Sequence, residues 1–145
     1  MNITLREITK DNYEKICDLE VADDQIRHLS SNMESLVDSK FHETLVPRAI
    51  YNNDTPVGFI MGEQTSSSRV EIYRFMIDSE FQQRGMGRAA LELAIAEIQH
   101  IGGIKQIQIC YHPENDIAKR LYFKLGFQEV GMSESGEDML AVLSL

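Results

Sequence analysis

The sequence predicts an α+β fold: one domain on a central, mostly antiparallel sheet of six to seven strands flanked by about four helices. Two observations carry that prediction. The hydrophobic period switches between two and about 3.6 in the order strand, helix, strand meander, helix, strand, helix and two closing strands. No internal repeat or low-complexity linker divides the 145 residues, whose 43% hydrophobic and 26% charged content suits a single globular domain.

Ile3, Leu5 and Ile8 alternate as a first strand. Asp11 to Glu14 has the form of a capping box, an acidic cap with a glutamate three residues on, and opens a helix whose Ile16 and Leu19 turn inward. Residues 21–43 are polar and interrupted by Ser30, Ser31 and Asn32, which predicts one or two short helices with a loop between them. A meander comes next, with strands over 46–53, 56–64 and 69–78 and turns at Asn52–Asp54 and 65–68. Leu91, Ala94, Ile95, Ile98 and Ile101 keep a helical period that Gly102 and Gly103 end. Ile107, Ile109 and Tyr111 alternate as a strand, and Asn115 caps a second helix with Ala118, Leu121, Tyr122 and Leu125 inward and Gly126 at its end. Strands near 127–131 and 137–144 close the chain.

The net charge of −9 argues against nucleic acid as the main partner and admits a cationic small molecule. No apolar run is long enough to span a membrane, and a strand begins at once in place of a signal peptide. Cys17 and Cys110 form no C-x-x-C pair. These features predict a reduced, cytoplasmic setting. His28, His42, His100 and His112 lack metal-ligand spacing, so no metal is expected. No G-x-S-x-G elbow makes a nucleophile of Ser66, Ser67 or Ser68.

The stretch FQQRGMGRAAL, residues 81–91, sets glycines where a strand gives way to a helix. Unpaired N–H groups at a helix start favour an anion, and glycine lets a phosphate approach the main chain. A Walker loop would need Lys and Ser or Thr where Arg88 and Ala89 stand. A dinucleotide fingerprint is met formally by Gly85, Gly87 and Ala90, but the next strand ends without the carboxylate that would hold a ribose.

Gln82, Gly85 and Gly87 also form Q-x-x-G-x-G, and Asn115, Ala118, Tyr122, Gly126 and Phe127 form N-x-x-A-x-x-x-Y-x-x-x-G-F. In that order and separation, the two motifs make the chain resemble the GCN5-related N-acetyltransferases along essentially its whole length. The ARLY-like and RFMID-like wording, with Val21, Gln25 and Asn32–Ser35, is most similar to bacterial spermine/spermidine acetyltransferases. The resemblance implies direct transfer of an acetyl group from acetyl-CoA to a primary amine. It implies cofactor contacts from Gln82, Gln83, Arg84, Gly85, Met86, Gly87 and Arg88 at the pyrophosphate, from Asn115 and Ala118 at the pantetheine arm, and from the main-chain N–H groups of Phe75, Met76 and Ile77 at the thioester carbonyl. Tyr122 matches the family's proton donor to the sulfur, although periodicity alone makes it a core aromatic. Glu71, eleven residues before Gln82, stands where some members carry a catalytic glutamate, and water is its rival as base. By alternation Glu71 shares a face with Tyr73 and Phe75. Lys119 and Arg120 are candidates for the cofactor's phosphates or for a solvated helix face. Arg74 and Asp78 are placed to form an ion pair. By analogy with the family, a homodimer is expected.

For the acceptor, the segment after the first strand sets Glu20, Asp23, Asp24, Glu34, Asp38 and Glu43 against Arg27 and Lys40, and the C-terminal part adds Glu134, Glu137 and Asp138. Carboxylates along a groove would draw in a polyamine, with Glu34 as the leading candidate. Another amine (a protein amino terminus or lysine, an aminoglycoside) and a non-catalytic acetyl-CoA-binding module are the alternatives.

Overall fold

A computed structural model describes residues 1–21 and 31–145. Strand β1 (Ile3–Glu7) leads to helix α1 (Tyr13–Asp18), and helix α2 spans Asn32–Phe41. The meander is β2 (Val46–Asn52), β3 (Thr55–Ser66) and β4 (Arg69–Ile77). Then come α3 (Met86–Ile101), β5 (Gln106–Tyr111), α4 (Asp116–Lys124), β6 (Gln128–Met132) and β7 (Met139–Ser144). The strands form one seven-stranded sheet in the order β1-β2-β3-β4-β5-β7-β6. Every pairing is antiparallel except β4 with β5. The expected mixed sheet with its flanking helices is therefore the architecture found.

Alternation along the strands feeds two cores. Ile50, Val57, Ile60, Ile72 and Ile77 pack with Ala90, Leu91 and Tyr122 from α3 and α4. Ala49, Tyr51, Phe59, Met61 and Met76 pack on the other face with Ile16 of α1 and Leu36 of α2. The sheet is thus a middle layer between two helix pairs.

The start of the first helix differs from the sequence reading. Asn12, not Asp11, precedes α1, and its side chain does not cap the helix. Instead Asn12 accepts from the Thr9 N–H and donates to the Glu7 carbonyl, closing the turn out of β1. Within 31–43 there is one helix, capped by Ser31, whose hydroxyl accepts from the Glu34 N–H at 3.1 Å; such caps stabilise by about 1 kcal/mol. The expectations for Asp23, Asp24, Gln25, Arg27, His28 and Ser30 lie outside the described residues.

Two features of β4 open the sheet at its centre. Met61 pairs with Arg74 and Gly62 with Ile72, so Tyr73 is an extra residue, a β-bulge. The bulge breaks strict alternation. Phe75 and Ile77 face the α3–α4 core, while Arg74 turns to Asn32 of α2. Glu71 keeps Tyr73 as its neighbour but not Phe75, which corrects the shared face expected from alternation. Second, parallel pairing with β5 covers only Arg69–Ile72 against Gln106–Ile109. Beyond it β4 continues along β3, and β5 continues along β7, so the two strands part.

Candidate active site

The opening between β4 and β5 leads into a cavity of about 450 Å³ under the glycine loop. Phe75, Met76 and Ile77 form its floor, Gln82, Gln83, Gly85, Gly87 and Arg88 one wall, and Asn115, Ile117, Ala118, Arg120, Leu121, Tyr122 and Lys124 of α4 the other, with Val21 at the side. Most of the residues that the two motifs nominated therefore meet in one place. Of the expected cofactor contacts, two do not line it: Met86 is turned into the core, and Arg84 is exposed on the loop.

The two glycines of the loop have different reasons to be glycine. Gly85 has φ +84° and ψ 0°, the left-handed region where a side chain is strained, although space beside it is open. Gly87 is not in that region. A β-carbon there would lie 3.5 Å from Leu121 Cδ2 and 3.6 Å from Ile77 Cγ1 and Phe75 Cζ, all ordinary contacts. Neither backbone nor packing requires Gly87, so its bareness serves the cavity. No side chain caps α3, which leaves its first N–H groups for a ligand. Gln82 donates from Nε2 to the Ile77 carbonyl at 2.9 Å and ties the loop to the end of β4.

The wall is cationic. Arg88, Arg120 and Lys124 line the cavity, and among the described residues no carboxylate does, in a chain whose net charge is −9. Lys124 was missed by sequence reasoning; its spacing of four from Arg120 on one helix was the available signal. Lys119 instead pairs with Glu129 at 3.3 Å. Arg88 shares its guanidinium with Glu92 at 2.9 Å.

At the floor, alternation sends the N–H groups of Phe75 and Ile77 to the open side. The Asp78 N–H, one residue on, bonds the Val57 carbonyl of β3, and the Met76 carbonyl points at Gly58 of β3, so the Met76 N–H, expected beside those of Phe75 and Ile77, faces β3 instead. Asn115 caps α4 through Oδ1, which accepts from the Ala118 N–H at 3.2 Å. Tyr122 is both a core aromatic and part of the cavity wall. It is 4% exposed and packs its ring against Tyr111 at 5.3 Å and Phe127 at 5.9 Å, yet it lines the cavity. Burial, then Cys110 and Tyr111, pushes its phenol well above the usual tyrosine range, so it is a proton-bearing donor at neutral pH. Cys110 itself is pushed up to about 11, chiefly by burial.

Glu71 does not line this cavity. Its carboxylate accepts from the Tyr73 hydroxyl at 2.7 Å and from Gln108 Nε2 at 3.3 Å, and lies 3.5 Å from Arg69 Nε. The same hydroxyl is 2.7 Å from Glu63, which also accepts from Thr44. One phenolic proton therefore faces two carboxylates. Burial and then these two neighbours push Tyr73 far above its ordinary range, while the Thr44 and Tyr73 hydrogen bonds hold Glu63 below its own. A second hollow of about 350 Å³ adjoins them, lined by Asp38, His42, Leu45, Met61, Glu63 and Tyr73. Glu34 is exposed in the first turn of α2, outside both cavities.

The expected Arg74–Asp78 ion pair is absent. Asp78 accepts from the N–H groups of Glu20 and Glu80, and the Ser79 N–H bonds the Glu20 carbonyl, which pins the chain after α1 to the end of β4. Arg74 is bonded to Asn32 instead. Among the described residues no helix is long and apolar enough to cross a membrane.

The chain is similar to known proteins along its whole length. The sequence model of the acetyltransferase (GNAT) family matches residues 5–127. A spermine/spermidine N(1)-acetyltransferase of Bacillus subtilis (strain 168) is 30% identical over 148 aligned residues, covering 97% of this chain and 97% of the relative. Among solved structures, a spermidine N-acetyltransferase from Vibrio cholerae, in complex with CoA and spermine, superposes with a TM-score of 0.78 at 17% identity, covering 99% of this chain and 95% of that one. The ribosomal-protein-S18-alanine N-acetyltransferase from Escherichia coli superposes with a TM-score of 0.71 at 19% identity, covering 99% and 92%. At these identities the two superpositions speak for the fold, and their different acceptors show that the fold leaves the acceptor open.

Proposed function

The chain belongs to the acetyltransferase (GNAT) family, and from that premise we propose that it moves the acetyl group of acetyl-CoA to a primary amine of a polyamine such as spermidine or spermine. The observation that carries the first half is the cavity: uncapped helix N–H groups, a bare Gly87 and three cations suit a phosphate-bearing cosubstrate. The second half is supported by the relative from Bacillus subtilis, similar along 97% of both chains. The acids on the α2 side of the sheet, Glu34, Asp38, Glu63 and Glu71, agree with it.

In this reading the pyrophosphate sits against Gly85–Arg88, with Arg120 and Lys124 opposite. Asn115, whose oxygen serves the helix cap, keeps its amide nitrogen for the pantetheine arm. The thioester carbonyl accepts from the N–H groups on the open edge of β4, Phe75 and Ile77, with Met76 between them packing beneath. The acceptor nitrogen, once neutral, attacks the carbonyl carbon, and its proton passes to Glu71 directly or through water. The oxyanion is held by the same N–H groups. Its collapse breaks the C–S bond, giving the acetamide and a thiolate. Tyr122 meets that thiolate. Its raised pKa lies above that of an ordinary thiol, about 8.5. It therefore works first as a hydrogen-bond donor, and the thiolate takes its final proton from solvent.

The test is thiol release from acetyl-CoA with a panel of amines. Release with spermidine and spermine, and slower release with uncharged-chain amines of similar length, is expected. Release only with a peptide amino terminus, a lysine or an aminoglycoside overturns the acceptor. Binding of acetyl-CoA with no release for any amine makes the chain a non-catalytic binding module.

A further inference from the structure

Arg74 is 7% exposed, and its Nε and Nη2 both donate to one neutral atom, Asn32 Oδ1, at 3.0 and 2.8 Å. Among the described residues, its buried Nη1 has no acceptor. Asn32, 1% exposed, spends its own amide nitrogen on the Ile16 carbonyl at 2.8 Å, which is how α1 reaches the group. From α2 the charge that Arg74 feels is Glu34, which is exposed. From β3 and β4, Glu63 and Glu71 are bonded to Tyr73. Burial lowers the guanidinium to about 10, which leaves it charged at neutral pH. A buried cation ordinarily takes a carboxylate partner; among the described residues Arg74 has none, and a neutral amide satisfies two of its donors while leaving its field uncancelled.

The placement gives that field a target. Arg74 lies between the Tyr73 bulge, where β5 departs, and Phe75, whose N–H faces the opening. We propose that Arg74 is an electrostatic determinant of the transfer reaction, its uncancelled charge favouring the neutral form of the acceptor amine and stabilising the oxyanion. Asn32 holds the guanidinium in place without neutralising it. This rests on the proposed acetyl transfer to a polyamine. It divides the acceptor's recognition in two: exposed carboxylates attract the distal ammonium groups, and the reacting nitrogen, nearest Arg74, gives up its proton. A unit charge on the order of 8 Å away, at an effective dielectric of about 20, moves an amine's pKa by about 1.5 units.

The experiment measures kcat against pH with acetyl-CoA and spermidine both saturating, so that the acid limb reports the bound state. Arg74→Gln keeps a donor for Asn32 and removes the charge; its limb should move up by about one pH unit and its plateau fall about tenfold. Arg74→Lys keeps the charge, and its limb should stay within about 0.3 units of wild type. Asn32→Asp places a carboxylate on the guanidinium and should also move the limb up, which provides the test if Arg74→Gln does not fold. Gln and Lys variants that lose activity equally, with the limb unmoved, would make Arg74 a packing residue and overturn the proposal. An Asn32→Asp enzyme with the wild-type limb overturns it as well. A wild-type protein that releases no thiol with any amine overturns the parent reading, and this one with it.

Discussion

Gly87→Val is expected to separate ligand binding from folding. The β-carbon itself meets only contacts of 3.5–3.6 Å, and the backbone is not left-handed there. Valine in a helix costs a few tenths of a kcal/mol less than glycine, about 0.6 against about 1 relative to alanine. The melting temperature should therefore stay within about 2 °C of wild type. The two γ-methyls, however, would extend beyond that β-carbon among Leu121, Ile77 and Phe75, which all line the cavity, at the wall where phosphates would bond the first N–H groups of α3. Loss of two charge-assisted hydrogen bonds, at about 1.5–3 kcal/mol each, weakens acetyl-CoA by at least about 10²-fold. Calorimetric titration and a thermal melt on the same sample measure both quantities. Gly85→Ala is the counterpart: nothing lies within 4 Å of its β-carbon, but φ is +84°. It should cost about 1 kcal/mol of stability, or about 3 °C. A folded Gly87→Val protein that binds acetyl-CoA within about threefold of wild type would refute the placement of the pyrophosphate.

Tyr122→Phe removes one oxygen and keeps the buried ring, so kcat should fall about 10²–10³-fold with acetyl-CoA affinity held within about threefold; full activity would return Tyr122 to a purely packing role. Glu34→Gln should raise the Michaelis constant for spermidine more than for acetyl-CoA, and the difference should shrink with added salt, since the Debye length is about 10 Å at 0.1 M; equal effects on both substrates would exclude Glu34 from acceptor attraction. Thr44→Val removes the largest of the causes that depress Glu63. Because that carboxylate's pKa is lowered on folding, the stability it contributes is present above its unfolded pKa and lost as pH falls through the folded one. NMR titration should show Glu63 moving up in the variant, and stability curves of the two proteins should converge at acid pH.

The cofactor half of this site could be read from sequence because its signals are local. Gln82 to Gly87 and Asn115 to Phe127 each lie within one turn-and-helix unit, and the residue order alone carries the pattern. Strand order was inferable for the same reason, since the meander joins neighbours through tight turns. What was misread depends on partners distant in the chain. The bulge at Tyr73 exists because Met61 and Gly62 of β3 are one residue too few for Ile72, Tyr73 and Arg74, and no window on β4 records that. Spacing matches Arg74 to Asp78, four residues away, but a strand does not bring such residues together as a helix does. Its real partner, Asn32, is 42 residues distant. Lys124 entered the cavity through the rotation of α4 on the sheet, which tertiary packing decides.

The parting of β4 from β5 also gives β4 a double character. At Arg69–Ile72 it is an interior strand, bonded on both sides, and at Tyr73–Ile77 it is an edge. Exposed edges invite pairing with strands of other molecules, and proteins usually blunt them with charge, proline or a covering element. This edge lies instead at the bottom of a cleft. The wall of α4 bars an extended chain from lying alongside it, and Gln82 and the Cys110 thiol occupy the Ile77 and Tyr73 carbonyls. A small ligand can reach the remaining N–H groups, and a neighbouring sheet cannot. The same recess that makes the groups available for chemistry therefore also guards the protein against self-association through its own central strand.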